Sequence, residues 1–531
     1  MALTERFAGF NVASALALRA TTDPGRPFLL TQAGPLTYAE VDGQSDALAA
    51  ALANLGVERG DRVALALPGC PEFVVSLFAV AKLGAVVVPM NPRQPASELL
   101  YTLRHSEAVC AITVERAQGV DFLQLFEEAQ VRLPALQYLV TVGEEDLWYD
   151  DRVFQFKDLL SAGAGRDYPA SDIDPVQDCF AIVYTSGTTG KPKGVMLSHN
   201  NLVSVAAGTA DALGLVPDDR IVGVSALFHV FGLAPGLLST ALAGAALVLE
   251  DEPDAGTTLD FVARHRATVH YGVPSLFVAE LIEQERSPRD VSSLRLAMPA
   301  GAPVSPELVE RIRSSFGTKV VVGYSLAEMS STACVTRPSD PPDKRAQTVG
   351  RPLPGTEVKI LERDGEELPE ESVGEIALKG PGVMLGYHRQ PRETAGAFDP
   401  QGYLLTGDLG IVDEDGFVHL VGRRKEVIIR AGYNVYPREV ESRLEAHPAV
   451  REAAAVGIVD ILLGEASCAC IVPVEGAIVT SQEIVDWCRE TLAAPKVPDQ
   501  VRFFDSFPRT GTGKIRRIEL ARMCQSPSRP A

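Results

Sequence analysis

Short apolar runs alternate with amphipathic segments through residues 37–90, and this alternation constrains the fold more than any other feature of the sequence. Apolar residues at helical spacing, such as Leu48, Leu52 and Leu55, predict helices, whereas short unbroken apolar runs predict buried strands. The predicted order is a helix that stops at Gly56, a strand at 62–67, a helix at 72–83 that stops at Gly84, and a strand at 85–89. Strands that alternate with helices form parallel sheets covered by helices.

The alternation continues beyond residue 200 and changes near Gly350. Helices are predicted at 202–208 and 233–242, and strands at 221–224 and 246–249. After Gly350 the apolar segments are short and separated by turn residues, which predicts a small antiparallel β region. The last part of the chain predicts an α+β unit, with helices at 437–447 and 481–492 and strands at 453–459 and 466–472. The predicted fold class is α/β, with a large N-terminal domain of parallel-rich αβ layers plus a small β region, and a smaller α+β C-terminal domain.

Length and charge limit the classes of function. A chain of 531 residues can bury the cores of at least two domains. Its formal net charge of −20 disfavours nucleic acid and anionic membranes as partners, because both require a basic surface. No unbroken apolar run reaches the ~18 residues of a membrane span, so we expect a soluble protein with no integral membrane contact. Anionic substrates would need local cations, for which the candidates are Lys191, Lys193, Arg423, Arg424 and Lys425.

The eight cysteines are scattered along the chain and predict structural thiols. Cys468 and Cys470 alternate within an apolar run, so they are expected to share one face of a strand. The sequence offers no second Cys/His pair at ligand spacing, which argues against a zinc site. Free cysteines are commonly buried, and reduced cysteines are typical of cytoplasmic proteins. We therefore expect a cytoplasmic location.

The stretch Tyr-Thr-Ser-Gly-Thr-Thr-Gly-Lys-Pro-Lys-Gly at 184–194 follows a short apolar run at 180–183 that predicts a buried strand. A loop rich in glycine, hydroxyls and lysines can present backbone N–H groups and cations to a polyphosphate. The spacing is not that of a Walker A loop, which needs four residues between its first glycine and Gly-Lys. Pro192 also argues against a helix that begins immediately after the loop. From composition alone, an ordinary surface loop remains the alternative.

The whole string from 184 to 194 resembles the phosphate loop of the adenylate-forming superfamily, which comprises acyl-CoA synthetases, luciferases and peptide-synthetase adenylation domains. Further segments resemble this superfamily in the expected order along nearly the whole chain, and acyl-CoA synthetases of the fatty-acid–CoA ligase type are the best match. The resemblance implies that the loop binds the phosphates of ATP through Thr185, Ser186, Gly187, Thr188, Thr189, Gly190 and Lys193.

Three further segments resemble the acyl and adenine sites of the family. The segment Leu-Phe-His-Val-Phe-Gly at 227–232 implies that His229 gates or positions the acyl group. The loop at 300–303 resembles the one that lies against adenine, where the small residues Gly301, Ala302 and Pro303 let the backbone come close. The segment Gly-Tyr-Ser-Leu-Ala-Glu at 323–328 implies that Tyr324 stacks on adenine and that Glu328 holds Mg²⁺, an ion that prefers one or two carboxylates plus phosphate oxygens.

The remaining motifs lie after residue 400. The segment at 403–408 resembles the ribose-binding element, in which Asp408 accepts hydrogen bonds from both vicinal hydroxyls. Gly-Arg-Arg-Lys-Glu at 422–426 resembles the hinge motif, with Arg423 reaching the nucleotide sugar and Lys425 at the pivot. The segment at 431–437 resembles the loop that lines the pantetheine tunnel, where Ala431 and Gly432 would lie.

The segment at 508–515 resembles the C-terminal lysine loop of the family. The resemblance implies that Lys514 is the cation that touches the substrate carboxylate and the α-phosphate as they react. It also implies domains at 1–421 and 426–531 joined by a hinge at 422–425, so that the C-terminal domain is mobile. A homodimer is left open.

Four positions depart from the family pattern. Ser325 stands where glycine is usual, and Ala327 replaces a threonine whose hydroxyl contacts the α-phosphate. A hydrogen bond to a charged group is worth roughly 1.5–3 kcal/mol, so the missing hydroxyl is expected to weaken AMP binding unless another donor compensates. Ala431 replaces a common glycine, and Pro495 precedes Lys496 where many members have tyrosine.

The implied reaction is AMP-forming acid–CoA ligation with ATP, Mg²⁺ and CoA. The predicted pocket segments 230–242 and 271–274 carry no acid or base, so a second charge on the substrate would be buried without a partner. We expect a medium- or long-chain fatty acid, with an aryl or alicyclic acid as the alternative; Arg264 and Arg266 lie nearby in sequence. Three other functions remain open: a stand-alone enzyme that loads an acyl carrier protein, a weakly active nucleotide- or acyl-binding protein, and a luciferase-like oxygenase.

Overall fold

The computed structural model describes residues 1–117, 120–129, 132–144, 151–169, 171–185, 192–224, 226–251, 254–362, 365–460, 462–509 and 515–525. The chain forms two compact units. The first unit comprises Met1–Val304, Leu308–Glu357 and Lys379–Phe398, and the second comprises Ser305–Glu307, Val358–Leu378 and Asp399–Ala531. The second unit therefore also contains residues 399–421, which the sequence assigned to the large domain. The hinge at 422–425 stays a prediction.

The α-helices of the described residues are α1 Leu3–Arg6, α2 Val12–Thr22, α3 Tyr38–Asn54, α4 Pro71–Leu83, α5 Ala96–Ser106, α6 Phe122–Ala129, α7 Phe156–Gly163, α8 His199–Leu213, α9 Ser239–Ala243, α10 Ala255–His265, α11 Pro274–Arg286, α12 Pro306–Phe316, α13 Pro342–Gln347, α14 Pro391–Ala395, α15 Pro437–Glu445, α16 Ser481–Arg489 and α17 Arg517–Gln525. A π-helical segment, Gly232–Leu238, precedes α9, and 3₁₀ turns lie at Ala327–Met329, Arg424–Glu426 and Ala494–Lys496. No helix in the described parts of the chain combines the length and apolar content that crossing a membrane requires.

The strands are β1 Pro27–Thr31, β2 Gly34–Thr37, β3 Arg62–Ala66, β4 Val86–Pro89, β5 Cys110–Val114, β6 Arg116–Ala117, β7 Val120–Asp121, β8 Tyr138–Val142, β9 Val153–Gln155, β10 Cys179–Thr185, β11 Lys193–Ser198, β12 Arg220–Val222, β13 Ala246–Val248, β14 Val269–Gly272, β15 Leu296–Pro299, β16 Lys319–Val320, β17 Gly323–Leu326, β18 Ser331–Val335, β19 Arg351–Pro352, β20 Glu357–Leu361, β21 Gly374–Lys379, β22 Gly386–Tyr387, β23 Leu404–Val412, β24 Val418–Arg423, β25 Ile428–Arg430, β26 Tyr433–Val435, β27 Val450–Asp460, β28 Gly464–Pro473 and β29 Gln500–Phe503.

Two parallel-rich sheets organise the first unit. One has the strand order β16-β15-β14-β12-β13-β1-β2, parallel except for the edge pair β1/β2. The other has the order β22-β11-β10-β4-β3-β5-β8-β9, parallel from β10 to β9 and antiparallel at β10/β11 and β11/β22. The unit also contains a small antiparallel sheet, β17-β18-β19, and the antiparallel pair β6-β7. The predicted α/β fold is confirmed.

The predicted order over residues 37–90 matches α3, β3, α4 and β4 to within a few residues. Thr37 and Glu40 form a capping box at the start of α3, each side chain bonding the backbone N–H of the other residue. Gly84 ends α4 in the left-handed conformation, with φ at 66°, which a residue with a Cβ adopts only at a cost. Local signals of this kind do not depend on tertiary context, which is why the sequence located these helices well.

The second unit contains an antiparallel four-stranded sheet, β20-β21-β23-β24, and a five-stranded sheet. In the latter, β28 pairs with β27 and β25 antiparallel and with β29 parallel, and β26 pairs with β25. One apolar cluster lies on each face of β27 and β28: Val440, Leu444 and Ile484 belong to one cluster, and Phe507 and Leu520 to the other. The predicted smaller α+β domain is confirmed.

Candidate active site

Several predicted site residues of the first unit follow parallel strands of one sheet. His229 lies beyond β12, Gly301 follows β15, and Tyr324 follows β16. Because the carboxyl ends of parallel strands meet at one edge of a sheet, these loops share that edge. The loop after β15 is held to the neighbouring strand by a hydrogen bond from Ala300 N to Gly272 O of 2.9 Å. This edge is where ligands bind in open α/β sheets.

The predicted phosphate loop lies between β10 and β11, the two strands of a β-hairpin. β10 and β11 pair antiparallel, with Thr185 opposite Lys193 and Tyr184 opposite Gly194. A strand therefore follows the loop, and no helix begins immediately after it, as Pro192 indicated. Loop residues Ser186, Gly187, Thr188, Thr189, Gly190 and Lys191 lie outside the described residues.

Helix α5 contacts β10 and the residue that precedes β11. The Tyr101 hydroxyl donates to Pro192 O at 3.2 Å, and His105 Nδ1 lies 2.8 Å from the Tyr184 hydroxyl. Burial, and then the nearby Arg389, lower the pKa of His105, so its neutral form is favoured. These contacts fix the ends of the loop to a helix that the sequence did not connect with it.

Tyr387 joins the hairpin to Glu328. Its hydroxyl lies 2.8 Å from Glu328 Oε1, and Lys193 Nζ lies 4.4 Å from the centre of its ring. Tyr387 is placed by β22, in which it pairs with Val195 of β11, and only 8% of its surface is exposed. Burial, and then the Glu328 carboxylate, raise the pKa of Tyr387, so its hydroxyl stays protonated and donates to Glu328. A cation, an aromatic ring and a carboxylate thus form one contact chain, which we call the Lys193–Tyr387–Glu328 chain.

Glu328 itself lies in the 3₁₀ turn between β17 and β18. Its backbone carbonyl accepts a hydrogen bond from Met384 N at 2.9 Å, and its side chain is half-buried. Ser330 and Ser331 follow with positive φ values of 57° and 114°, a conformation that costs non-glycine residues energy and clusters at functional sites. A half-exposed carboxylate on a fixed turn suits a hard oxygen-preferring cation such as Mg²⁺.

The His229 loop leads into an irregular helix. The π-helical segment Gly232–Leu238 contains Pro235, which cannot donate a backbone hydrogen bond. Two hydroxyls that follow the segment also bond its carbonyls: Ser239 Oγ donates to Ala234 O at 3.0 Å, and Thr240 Oγ1 donates to Gly236 O at 2.6 Å. π-Helical turns occur frequently at functional sites. His229 is half-buried, and its Nδ1 accepts a long hydrogen bond of 3.4 Å from Phe231 N.

The predicted adenine-contacting residues differ in exposure. Ala302 and Pro303 are exposed, and Gly301 has a φ of 84°, which favours glycine. Tyr324 is 5% exposed. The preceding Gly323 allows close packing, since a Cβ there would lie 2.6 Å from Met298 Cε.

Asp408 and Arg423 are brought together in the second unit. They are register partners on β23 and β24, and Arg423 Nε donates to Asp408 Oδ1 at 3.0 Å. The Asp408 side chain is 12% exposed and that of Arg423 is 47% exposed. Both were predicted to contact the ribose, and the arginine can hold the carboxylate in one orientation.

Glu375 supports the loop that carries Asp408. Its Oε1 accepts from Gly407 N at 2.9 Å, and its Oε2 forms an ion pair with Arg424. Thr406 Oγ1 donates to Ile376 O at 2.7 Å and accepts from Asp408 N at 3.1 Å. Glu375 is 5% exposed, so its charge is buried and paired. Arg424, a predicted substrate-attracting cation, is thus bound to a structural carboxylate.

The tunnel and lysine loops are described in part. Ala431 adopts a φ of 47° and Gly432 a φ of 83°, and Ala431 N donates to Leu463 O at 2.7 Å. Arg509 and Ile515 form an isolated antiparallel bridge that flanks the lysine loop. Lys514 lies outside the described residues.

A buried polar cluster beneath β14 was not predicted. His270 Nε2 lies 2.8 Å from Glu280 Oε2, and both side chains have no exposed surface. Glu250 accepts from Gly223 N and from Thr258 Oγ1, at 2.9 and 2.6 Å. Burial opposes a charged His270, but Glu280 outweighs it and raises the pKa of His270. The partners satisfy each other, so this cluster supports the loops after β12 and β14.

Sequence reasoning missed Tyr387, His105 and Glu375. Each acts across a large separation: Tyr387 is 59 residues from Glu328, His105 is 79 residues from Tyr184, and Glu375 is 32 residues from Gly407. No local spacing indicates such a contact. Knowledge of which strands pair would have indicated Tyr387 and Glu375, whereas His105 reaches Tyr184 from helix α5.

Comparisons with known proteins match this arrangement over most of the chain. The family model of AMP-binding enzymes matches residues 16–388, and that of the AMP-binding enzyme C-terminal domain matches residues 439–514. The chain is 35% identical over 503 residues to the putative acyl-CoA synthetase YngI of Bacillus subtilis, covering 91% of each chain. It is 35% identical over 488 residues to a feruloyl-CoA synthase of Amycolatopsis sp, covering 92% of this chain and 94% of the relative. A solved structure of the anthranilate CoA ligase AuaEII with anthranoyl-AMP is similar with a TM-score of 0.90 and 28% identity, covering 99% of each chain.

Proposed function

The chain belongs to the family of AMP-binding enzymes, and from this premise we propose how its residues serve an AMP-forming acid–CoA ligase. The enzyme class is that of the acyl-CoA synthetases, whose substrates are a carboxylic acid, ATP and CoA. In the first half-reaction a carboxylate oxygen attacks the α-phosphorus of ATP, and pyrophosphate leaves as acyl-AMP forms. In the second the CoA sulfur attacks the acyl carbon, its thiol proton is released, and AMP leaves.

The Lys193–Tyr387–Glu328 chain is the observation that carries our assignment of the phosphate site. Lys193 is the first residue of β11, directly after the phosphate loop, and Tyr387 orients one oxygen of Glu328. When bound, Mg²⁺ neutralises phosphate charge, and Glu328 supplies the carboxylate ligand that such an ion prefers. Preorganised cations lower the energy of the transition state because charge grows on the α-phosphate.

We assign the remaining site residues one by one. Thr185 and the loop residues 186–190 bind phosphate, Gly301, Ala302, Pro303 and Tyr324 contact adenine, and Asp408 with Arg423 binds the ribose. His229 positions the acyl group, Ala431 and Gly432 line the path of the pantetheine arm, and Lys514 contacts the reacting carboxylate and α-phosphate. The Asp408–Arg423 contact supports the ribose assignment. The guanidinium holds one oxygen of the Asp408 carboxylate, and the other oxygen can accept a hydrogen bond from a ribose hydroxyl.

We propose that the acid has a lipophilic, uncharged tail. The segment Gly232–Leu238 and helix α9 are entirely buried, and the hydroxyls of Ser239 and Thr240 donate to backbone carbonyls. Arg264 and Arg266 precede β14 and thus lie at the amino edge of the sheet, opposite the loop of His229. Arg266 is 67% exposed at its side chain and faces Asp290 at 4.0 Å. A medium- or long-chain fatty acid fits best. Aryl acids are the alternative, because similar proteins are named as feruloyl-CoA and anthranilate-CoA ligases.

The proposal is tested by acid-dependent AMP release across a carboxylate panel, with and without CoA. We expect octanoate or benzoate to be turned over faster than malonate, and AMP release to depend on CoA. A holo acyl carrier protein as acceptor tests the carrier-loading alternative. Faster turnover of malonate would reject the lipophilic acid, and failure of every acid to support pyrophosphate exchange into ATP would reject the whole assignment.

We also propose a cytoplasmic location, because all eight cysteines are free thiols. A homodimer stays a prediction, which light scattering of the purified chain tests.

A further inference from the structure

Three cysteine thiols converge inside the second unit, and none of the three was assigned a role above. Cys468 and Cys470 lie two residues apart on β28 and share one face, as the sequence predicted. Cys524 reaches the same place from α17, and its Sγ lies 3.3 Å from Cys470 Sγ. The three sulfur atoms lie within 4.8 Å of one another, and each residue is at most 2% exposed. The sequence missed this cluster because Cys524 is 54 residues from Cys470.

The donor set has three sulfurs and no fourth ligand. No other His, Cys, Asp or Glu of the described residues belongs to the cluster. The neighbouring residues 510–514 and 526–531 contain none of these four residue types either. Structural zinc takes four ligands, whereas soft thiolate sites also select copper(I). The donor set therefore fits a soft cation that accepts three sulfur ligands.

The surroundings can hold the negative charge of a thiolate. Arg502 is the register partner of Cys470 on β29, so both side chains point to the same face. The next register pair, Ala469 and Val501, packs in the opposite cluster, which agrees with that orientation. Binding a cation would release the thiol protons to solvent and would transfer no electron.

We propose that Cys468, Cys470 and Cys524 form a three-sulfur binding site for one copper(I) ion. The ion joins α17 to β28, so it fixes the C-terminal helix on the sheet. A disulfide is the competing chemistry, because Cys470 and Cys524 are close; it needs an oxidant and a shorter sulfur–sulfur distance.

The test uses the full chain, reduced and kept anaerobic, with Cu⁺ in competition with bicinchoninate. We expect one tightly bound Cu⁺ per chain and at least tenfold weaker binding in Cys470→Ala and Cys524→Ala. Cys488→Ala is the matched control, because Cys488 is equally buried but belongs to the cluster on the opposite face of the sheet. Its Cu⁺ binding should equal that of the wild type. Cys524→Ser replaces Cys524→Ala if the latter does not fold.

X-ray absorption of the loaded chain should show three sulfur neighbours and no nitrogen or oxygen neighbour, and Cu⁺ should raise the Tm of the wild type but not of Cys524→Ala. Unchanged Cu⁺ binding in both site variants, an equal affinity for Zn²⁺, or a Cys470–Cys524 disulfide as the sole product would each overturn the proposal. Ligase activity plays no part in the readout, so the result does not depend on the proposed function.

Discussion

Lys193 in the first unit lies over the ring of Tyr387, whereas Arg423 in the second unit is held by the carboxylate of Asp408. Arg424 is likewise paired, with Glu375. Among the described residues, no carboxylate pairs with Lys193. A cation over an aromatic ring keeps its charge available to an incoming anion, while an ion-paired arginine is partly neutralised and orients its partner instead. The described cations thus differ: Lys193 keeps its charge available, which suits the proposed phosphate contact, whereas Arg423 and Arg424 orient carboxylates.

The strongest test of this contrast is a cation that we assign to the reacting atoms. Lys514→Ala should lower the rate of acyl-AMP formation by about 10²–10³, as loss of a preorganised charge does at other active sites. Thioester formation from preformed acyl-AMP should be largely unaffected, because the phosphorus is no longer attacked in that step. Pyrophosphate exchange measures the first half-reaction, and CoA consumption with synthetic acyl-AMP measures the second.

Lys359→Ala is the control for that variant, because Lys359 is a lysine of the second unit that pairs with Glu367 at 2.7 Å and has no assigned role. It should leave both half-reactions unchanged. An equal loss in both half-reactions of Lys514→Ala would contradict the role assigned to Lys514.

Asp408→Asn tests the carboxylate that Arg423 orients in the second unit. The substitution keeps the shape of the side chain but removes the negative charge that accepts from the ribose hydroxyls and from Arg423. A hydrogen bond to a charged group is worth roughly 1.5–3 kcal/mol, so KM for ATP should rise about 10- to 150-fold. Asp505→Asn, at an exposed aspartate of the same unit, should change nothing. A rise in KM for CoA with KM for ATP unchanged would move Asp408 out of the nucleotide site.

The sequence predicted those features that depend on neighbours along the chain. The capping box of Thr37 and Glu40, and the left-handed Gly84, fix α3 and α4 wherever the rest of the chain lies. The loop predicted at 184–194 likewise follows from its own residue types, although among its described residues Tyr184 and Thr185 end β10, and Lys193 and Gly194 begin β11.

The contacts that organise the site depend instead on strand pairing. Tyr387 reaches Glu328 only because β22 adds to the edge of β11, and Cys524 reaches Cys470 only because α17 packs on β28. Neither contact leaves a periodic signal, since the partners are far apart in the chain. Resemblance to a family supplied Glu328, Asp408 and Arg423 as candidates, but not Tyr387, which bonds Glu328, or Glu375, which supports the loop of Asp408.

Tyr387→Phe tests the hydrogen bond between Tyr387 and Glu328 in the first unit. The ring remains beneath Lys193, so only the hydrogen bond to Glu328 is lost. An ordinary hydrogen bond contributes about 0.5–1.5 kcal/mol net, so the Mg²⁺ concentration for half-maximal activity should rise about two- to tenfold. Tyr138→Phe is the control, at a half-exposed tyrosine of β8. A fall in kcat with unchanged Mg²⁺ dependence would show that Tyr387 acts other than through Glu328.

Ala431→Gly should have the smallest effect of these substitutions. It tests the strain of the Ala431 backbone in the second unit and changes no charge. Ala431 has a φ of 47°, and the left-handed region costs a residue with a Cβ roughly 1–2 kcal/mol. Glycine removes that cost but adds about 0.5–1 kcal/mol of unfolded-state entropy, so the variant should be more stable by up to about 1 kcal/mol. The same substitution at Ala446, whose φ is −74°, adds only the entropy and should destabilise the chain. Urea unfolding measures the free energy of unfolding of both variants and thus the sign of each change. If Ala431→Gly destabilises the chain, the packing of the alanine side chain outweighs the backbone strain. The departure from glycine at this position would then be stabilising.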